Sequence, residues 1–342
     1  MIGHYNTEML NRKVRFGVVG TNIITDTVIK GGLQDDRFEV VAVCSRTQET
    51  ADAFAAKHNI PYTFTSVEEM ASSDCIDAVY IATPNSCHAA QAIVSMNKGK
   101  HVLCEKPLAA NADQAKAMIE VAKANNVTLM EAMITTLNPN FQILKENLAS
   151  LGTLRRYFAS FCQYSSRYDR FKDGIVLNAF KPELANGSAM DIGIYTIYPM
   201  IALFGKPQKV QAQGVLLHTG VDGQGCANFK YDGLDATVLF SKIANSSLPT
   251  EIEGEEGNII LNQIHIPTSV EYVPRVQTEE NPRRQIGQPL DKSAYYYEIK
   301  EFIDLVNQGK QQSEVNTWAN SIATMEVIDE IRSQIGVITQ FD

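Results

Sequence analysis

The sequence predicts a doubly wound α/β domain followed by an α+β domain with a large, mostly antiparallel open sheet. Over roughly the first 130 residues, short Val- and Ile-rich runs alternate with helix-like segments, the pattern of a parallel sheet covered on both faces. From about Asn138 the strands are longer and alternate partly between apolar and polar residues, which indicates a sheet with one face packed on helices. We therefore predict two domains, residues 1–133 and 134–342.

Each strand of the first domain is a short, largely apolar segment. The first strand, residues 14–19, runs into Gly20, and the fourth is closed by Thr83-Pro84. Helical sequence fills most of the intervals, because parallel strands must be joined by crossovers. The predicted strands are residues 14–19, 38–44, 62–64, 78–82, 101–104 and 127–130, and the clearest helices are residues 86–98 and 111–125.

The second domain combines long strands with one unusually apolar helix. That helix, residues 188–204, separates the first strand of the domain from the others. Two further helices, residues 293–307 and 315–335, come near the end of the chain. The predicted strands are residues 154–164, 209–218, 227–231 and 236–242.

Composition narrows the class of function. The chain has 342 residues, of which 44% are hydrophobic, and a formal net charge of −9. This negative charge disfavours general binding to nucleic acid or anionic membranes. No segment approaches the roughly 18 consecutive apolar residues of a spanning helix, and the first residues lack the apolar core of a secretory signal. We expect a cytoplasmic protein without nucleic-acid or membrane partners.

Six cysteines are scattered along the chain without a C-x-x-C pair, which predicts reduced and mostly buried thiols. The alternative is metal binding, because Cys87 is adjacent to His88 and Cys104 follows His101 by three residues. Neighbouring strand residues point to opposite faces, however, and no second ligand pair has suitable spacing. We predict no metal site.

A glycine-containing turn after the first strand predicts a dinucleotide site. Glycine there lets the backbone approach a pyrophosphate, which the positive end of the following helix also attracts. Asn22 occupies the place of a further glycine, and Asn tolerates left-handed backbone better than most residues. An ordinary strand–turn–helix connection is the alternative. The predicted cofactor contacts in this turn of a Rossmann domain are Gly17, Gly20, Thr21, Asn22 and Ile23.

The end of the second strand indicates which dinucleotide binds. An acidic residue here would hold the ribose 2′-hydroxyl of NAD. The sequence instead reads Ser45-Arg46-Thr47, with no carboxylate until Glu49. These hydroxyls and the guanidinium match a 2′-phosphate in charge and hydrogen bonding. We therefore predict NADP, with NAD as the alternative if Arg46 is only a solvated surface residue.

Polar residues after the fourth strand lie at the carboxyl edge of the sheet, where open α/β sheets bind ligands. Asn85 is suited to bond a ribose or a carboxamide. His88 begins a helix and is interpreted as a packing or cofactor-edge contact rather than a catalyst. The predicted cofactor contacts in this segment are Thr83, Pro84, Asn85 and His88.

Several motifs occur in one order that resembles the glucose–fructose oxidoreductase/inositol dehydrogenase (Gfo/Idh/MocA) family. The sequence Glu105-Lys106-Pro107 is the E-K-P motif of that family. Tyr195 stands where inositol dehydrogenases carry His, so the chain looks most like the dihydrodiol dehydrogenase and aldose 1-dehydrogenase branch. The other motifs are the Gly-rich turn, Ser45-Arg46, Thr83-Pro84-Asn85 with His88, Met130-Glu131-Ala132 and Asp191-Ile192-Gly193-Ile194-Tyr195.

The resemblance implies a catalytic set of Lys106, Asp191 and Tyr195. A cation at Lys106 would stabilise the oxyanion that develops during hydride transfer. Asp191 and Tyr195 are four residues apart on the predicted helix and share a face. Tyr195 is assigned proton transfer and Asp191 the orientation of the substrate or the lysine, although Asp191 also suits a helix N-terminus. Which of Lys106 and Tyr195 moves the proton stays open, and Glu105 is assigned to the cofactor site as a brace of the turn.

Substrate contacts are expected along and after the first strand of the second domain. Tyr164 and Arg167 are the candidates beside the catalytic three, whereas Arg155 and Arg156 also fit an exposed strand face. The predicted function is NADP(H)-dependent hydride transfer to or from a sugar, polyol, cyclic diol or related ketone. The alternative is a non-catalytic protein that senses a dinucleotide or sugar. Relatives cover the open sheet with another subunit, so a homodimer or homotetramer is expected.

Overall fold

The structure is a computed structural model that describes residues 11–338 and residue 341. These residues form two compact units. Unit 1 contains the described residues up to Met133 together with Lys292–Trp318, and unit 2 contains Ile134–Asp291 and the described residues from Ala319 onwards. The sequence placed all of 134–342 in one domain, whereas residues 292–318 return to unit 1. The helix of Tyr295, within these residues, packs closely against the helix of Gly31 in unit 1. A Cβ built on Gly31 would lie only 2.6 Å from the Cβ of Tyr295.

Unit 1 is built on a six-stranded parallel sheet, as predicted. Its strands are β1 (Val14–Val19), β2 (Phe38–Cys44), β3 (Tyr62–Phe64), β4 (Ala78–Ile81), β5 (His101–Glu105) and β6 (Leu129–Ala132). Their order is β3-β2-β1-β4-β5-β6. This is the order of a dinucleotide-binding Rossmann domain, in which ligands bind beyond the carboxyl ends of β1 and β4. The last strand begins two residues later than predicted.

Polar side chains begin most of the helices between these strands. Asn22, Thr47, Ser66 and Asn111 each accept the backbone N–H three residues further on, which satisfies one of the unpaired donors at a helix start. The helices are α1 (Ile23–Gly32), α2 (Gln48–His58), α3 (Val67–Ser72), α4 (Asn85–Asn97) and α5 (Ala112–Asn125).

Unit 2 contains an eight-stranded sheet. Its strands are β7 (Leu154–Cys162), β8 (Lys209–Leu216), β9 (Asp222–Lys230), β10 (Asp235–Ser241), β11 (Thr250–Gly254), β12 (Gly257–Leu261), β13 (Val270–Pro274) and β14 (Arg284–Gln285). The order is β14-β13-β12-β11-β7-β10-β9-β8, and only the β7–β10 pair is parallel among the pairs within these strands. The predicted mostly antiparallel sheet is confirmed. Strands β11 to β14 were not predicted from the sequence.

The helices of unit 2 include one unusually apolar segment. They are α6 (Ile134–Leu137), α7 (Pro139–Asn147), α8 (Tyr168–Lys172) and α9 (Ile194–Phe204), followed in the chain by α10 (Ala294–Gln308) of unit 1 and by α11 (Trp318–Ile335). A π-helical turn, Ala189–Gly193, precedes α9. The stretch Pro182–Phe204 is long and apolar enough to cross a membrane by composition, but 72% of its apolar window is buried in the fold, as in a core helix.

Candidate active site

The turn after β1 approaches the end of β4 closely only because Gly20 has no side chain. Gly20 has a φ of +101°, and a Cβ built there would lie 2.7 Å from the carbonyl oxygen of Ala82, just beyond β4. Its N–H donates to the carbonyl of Cys44 at 3.1 Å, which ties the turn to the end of β2. The ends of three strands therefore meet at Gly20, and this backbone fits the pyrophosphate of a dinucleotide.

Asn22 and Gly17, two other predicted cofactor contacts of this turn, support the fold in ways that the sequence did not indicate. Asn22 is in extended rather than left-handed backbone, with φ −99° and ψ −179°. Its side chain accepts the N–H of Thr25 at 3.1 Å and donates to the carbonyl of Ala82 at 2.6 Å. Gly17 lies inside β1, where a Cβ would contact the sulfur of Met70 at 2.8 Å. Gly17 therefore serves packing, while Thr21 and the exposed Ile23 lie at the turn itself.

The residues after β2 form a hydroxyl cluster beside a free cation. Ser45 Oγ lies 2.7 Å from Thr50 Oγ1, and Thr47 Oγ1 lies 2.8 Å from the same atom. Thr47 also caps α2. Arg46 is exposed, and its guanidinium makes no hydrogen bond or ion pair with the residues that the structure describes. An exposed arginine between two hydroxyl residues in the sequence is suited to recognition of a phosphate dianion.

His88 connects the loop after β4 to the turn that carries Lys106. The residue has no exposed surface, and its Nδ1 and Nε2 each lie 2.9 Å from a carbonyl oxygen, of Pro107 and Thr83 respectively. Burial lowers the pKa of the imidazole, against the opposing effect of the two carbonyls. This placement favours the packing role over a direct cofactor contact. Asn85 is also buried, and Thr83 Oγ1 donates to Gln91 at 2.6 Å.

The turn of Lys106 is held on both sides by buried polar groups. Tyr80 donates to Glu105 Oε1 at 2.7 Å, and the N–H of Leu108 donates to Glu131 Oε1 at 2.9 Å. Together with the contact of His88 to Pro107, these bonds fix the residues on either side of Lys106. The E-K-P and M-E-A motifs are thus parts of one arrangement, and Glu105 is a brace of the turn with only 8% exposure.

Helix α10 adds acidic and phenolic groups to the same region of unit 1. Burial and then the charge of Glu105 raise the pKa of Glu298, which is fully buried, well above its usual range. Burial, Glu105 and Glu298 raise the pKa of Tyr295 to about 12, while the charge of Lys106 acts in the opposite direction. The charge of Lys106 acts on Tyr295, so this part of α10 lies near the turn that carries Lys106.

In unit 2, a buried carboxylate organises the start of the segment that carries Asp191 and Tyr195. Asp222 Oδ2 accepts the hydroxyl of Ser188 at 2.6 Å and the N–H of Ala189 at 2.7 Å. Burial raises the pKa of Asp222, although these two bonds oppose the shift. Gly187, with a φ of +146°, is required here because a Cβ would lie 2.1 Å from Asp222 Oδ1.

Lys242 is a functional candidate that the sequence did not indicate. Its Nζ lies 2.6 Å from Asp191 Oδ2, and its side chain is only 4% exposed, against 38% for Asp191. It also donates to the carbonyl of Ala179 at 3.4 Å and lies over the ring of Phe180 at 5.3 Å. Asp191 therefore has a buried cation as its partner. Lys242 lies directly after β10 and 51 positions from Asp191 in the chain. Only the folded structure therefore shows that the two residues pair.

Aromatic rings surround Tyr195 at the first turn of α9. Phe161 of β7 lies edge-on to Tyr195, with ring centroids 5.7 Å apart, and stacks face-to-face with His265 at 4.2 Å. His265 is itself 6.1 Å from Tyr195. One bond supports the backbone beneath: Tyr157 of β7 donates to the carbonyl of Thr196 at 2.9 Å. The predicted pair Asp191 and Tyr195 thus lies on successive turns, with Asp191 in the π-helical turn.

The predicted substrate residues differ in how strongly they are tied to the protein. Tyr164 donates to Asp169 Oδ1 at 2.7 Å, whereas Arg167 is exposed and makes no side-chain bond with the described residues. Arg155 pairs with Glu255, and Arg156 with Asp235, on the exposed part of the sheet. The last two residues therefore fit the strand-face interpretation. Among the residues that the structure describes, no group of three His, Cys, Asp or Glu side chains is placed to hold a metal ion.

The fold and these sites define an oxidoreductase built on a dinucleotide-binding domain. Residues 14–133 match the model of an oxidoreductase family with an NAD-binding Rossmann fold, and residues 142–260 match the Gfo/Idh/MocA C-terminal domain. The chain belongs to the Gfo/Idh/MocA family, as its ordered motifs predicted.

Known proteins match nearly the whole chain. The scyllo-inositol 2-dehydrogenase (NADP(+)) IolU of Bacillus subtilis is 50% identical over 329 residues, which cover 96% of this chain and 99% of the relative. The trans-1,2-dihydrobenzene-1,2-diol dehydrogenase of Mus musculus is 30% identical and covers 95% and 97%. The 3-ketoreductase KijD10 of Actinomadura kijaniata, in complex with NADP and TDP-benzene, has the same fold, with a TM-score of 0.81, 22% identity and coverage of 95% and 98%.

Proposed function

We propose that this chain is an NADP(H)-dependent oxidoreductase that transfers hydride to or from a sugar, polyol, cyclic diol or related ketone. The observation that carries the proposal is the 50% identity, over 96% of the chain, to a protein named for scyllo-inositol and NADP(+). A cyclitol is therefore the first substrate to test. The identity to the dihydrodiol dehydrogenase is lower, at 30%, so a dihydrodiol is tested after a cyclitol.

Unit 1 supplies the groups for the cofactor. The backbone at Gly20 would hold the pyrophosphate, and Ser45, Arg46 and Thr47 would hold the 2′-phosphate. When bound, the nicotinamide supplies or accepts the hydride. Lys106, held between the bonds of Glu105 and Leu108, would stabilise negative charge on the substrate oxygen as hydride leaves or arrives.

Unit 2 supplies the groups for the substrate. Tyr195 would give the proton to the oxygen during carbonyl reduction, or accept it during alcohol oxidation. Asp191, paired with Lys242 at 2.6 Å, would accept a hydrogen bond from a substrate hydroxyl and orient the ring. Tyr164 and Arg167 would contact more distant parts of the substrate. A carboxylate with a buried cation on one side and 38% exposure on the other is suited to this task.

The competing interpretation, a non-catalytic sensor of dinucleotide or sugar, gains no support from the relatives, whose names describe dehydrogenases and reductases. A binding function alone would also leave unexplained the bonds that fix the turn of Lys106.

The activity test uses purified enzyme with NADP⁺ and scyllo-inositol, other inositols, aldoses and a dihydrodiol, followed by NADPH absorbance. We expect turnover of at least one of these polyols. Lys106→Met and Tyr195→Phe should each lower kcat by about 100-fold or more, with NADPH binding retained in Tyr195→Phe. Tight NADPH binding without turnover of any substrate in either direction would instead support the sensor.

We further propose a cytoplasmic homodimer or homotetramer in which a second copy covers the open sheet of unit 2. Val215 and Leu216 of β8 support this proposal, because they are 46% and 42% exposed at the end of that sheet. Size-exclusion chromatography with light scattering at micromolar concentration should find a dimer or tetramer, and a monomer would contradict the proposal.

A further inference from the structure

The imidazole of His265 is placed at Tyr195 without any assigned role. It lies in the loop between β12 and β13, stacks on Phe161 with ring planes 5° apart, and meets the ring of Tyr195 edge-on. The side chain is only partly buried. Both rings thus belong to one surface of unit 2, and a substrate that touches Tyr195 is within reach of His265.

The loop that carries His265 is fixed by an unusual number of side-chain bonds. Asn262 accepts the N–H groups of Thr268 and Ser269, each at 3.1 Å, which closes the loop at its base. The hydroxyl of Thr135 donates to the carbonyl of His265 itself at 2.8 Å, and Asn140 donates to the carbonyl of Pro267 at 3.1 Å. A loop anchored in this way holds the imidazole at a fixed position.

The ring nitrogens of His265 form no hydrogen bond with the residues that the structure describes. Nδ1 is among the buried polar atoms that have no partner, and burial lowers the pKa of the ring to about 4. The imidazole is therefore neutral at pH 7, with one N–H donor and one acceptor nitrogen. Nε2 is not among these buried atoms, so it is the ring nitrogen that a ligand can reach.

We propose that His265 binds a substrate hydroxyl next to the carbon that reacts at Tyr195, and thereby selects polyhydroxylated rings. A hydroxyl group both donates and accepts, as a neutral imidazole does, so the two are matched. The stacked face of Phe161 fixes the ring plane, so the hydroxyl would meet Nε2 at the edge of the ring, whereas Nδ1 is buried. This inference rests on the proposed function and names the kind of group that the same site recognises.

The test compares three variants in steady-state kinetics with NADP⁺ and scyllo-inositol, or with whichever polyol proves the best substrate. His265→Phe keeps a flat ring on Phe161 and removes both nitrogens. We expect its KM for the polyol to rise about tenfold or more, with kcat within about threefold and KM for NADP⁺ unchanged. His265→Gln restores a donor and an acceptor and should recover part of the lost affinity.

His218→Phe is the matched control, because His218 also stacks on a phenylalanine, Phe171, at 4.2 Å in the same unit. This variant should leave both KM values unchanged. If His265→Phe leaves the polyol KM unchanged, or lowers kcat without changing KM and is not rescued by Gln, His265 only supports Tyr195 and the inference is wrong.

A measurement on the wild-type enzyme does not depend on the variants folding. With ¹⁵N-labelled histidine, the ring nitrogen signals of His265 should shift when scyllo-inositol is added to the NADPH-bound enzyme, whereas those of His218 should not. An unchanged His265 signal at saturating polyol would also overturn the inference. Absence of any polyol turnover by the wild-type enzyme would instead refute the proposed function, so the two failures are distinguishable.

Discussion

The turn of Lys106 in unit 1 and the helix of Tyr195 in unit 2 are held in different ways. The contacts of the Lys106 turn come from His88 and Glu131, which lie 19 and 23 positions from their partners in the chain. Asp222 lies 34 positions from Ser188, and Lys242 lies 51 positions from Asp191. The first site is therefore fixed by consecutive β–α elements, and the second by strands that return from far along the chain.

This difference has an energetic consequence. In unit 1, the parallel sheet brings the ends of β1, β2 and β4 to one edge, and backbone groups make the contacts at Gly20. In unit 2, a few buried polar side chains carry the arrangement through specific bonds, of Asp222 to Ser188 and Ala189 and of Lys242 to Asp191. We therefore expect single substitutions beside the helix of unit 2 to be more damaging than substitutions of the exposed cofactor contacts in unit 1.

The largest effect is expected from Gly187→Ala. The substitution places a Cβ 2.1 Å from Asp222 Oδ1 at a φ of +146°, and no shift of a flexible side chain end relieves it because Asp222 is fully buried. The stability of the native enzyme should fall by roughly 3 kcal/mol or more, with nearly complete loss of activity. Thermal unfolding and the NADP⁺-linked assay measure both.

Gly174→Ala is the control for the backbone angle alone. Gly174 has a φ of +83°, and a Cβ there would meet nothing within 4 Å. This variant should lose about 1 kcal/mol and keep its activity. Equal losses in the two variants would mean that the contact with Asp222 does not set the start of the helix.

The same comparison explains what the sequence allowed us to predict. Arg46 and Lys106 could be proposed from the sequence because each follows a strand of a repeated β–α pattern, where position along the chain determines position in space. Lys242 and His265 could not, because a lysine after a strand and a histidine in a loop carry no periodic signal. Their positions beside Asp191 and Tyr195 follow from the end of β10 and from the loop after β12. Asn22 lies in the predicted turn. Its residue type suggested left-handed backbone, whereas its backbone is extended and its side chain caps α1.

Lys242→Met should have the second largest effect. The variant removes a buried cation that lies 2.6 Å from Asp191, and with it the ion pair of that carboxylate with Lys242. Because Asp191 is 38% exposed, water offsets part of the cost, and the fold should survive. We expect kcat/KM for the polyol to fall about 100-fold, with NADPH affinity unchanged in fluorescence titration.

Lys206→Met is the matched control, since Lys206 pairs with Glu326 at the same 2.6 Å but with side chains 53% and 29% exposed. Its kinetic constants should stay within about twofold of wild type. A Lys242→Met enzyme as active as this control would show that Asp191 does not need the buried cation.

The smallest effect is expected in unit 1, from Arg46→Ala. Arg46 is exposed and unpaired among the described residues, so its removal should leave stability unchanged. The Kd for NADPH should rise about tenfold or more because a guanidinium–phosphate bond is lost, while the Kd for NADH stays within about twofold.

Lys98→Ala is the matched control. It removes one positive charge just after α4, where Lys98 Nζ pairs with Glu68 at 3.2 Å, and it should alter neither constant. Equal weakening of NADPH and NADH by Arg46→Ala would remove the 2′-phosphate assignment, and the cofactor choice would then depend on backbone groups as the rest of this edge does.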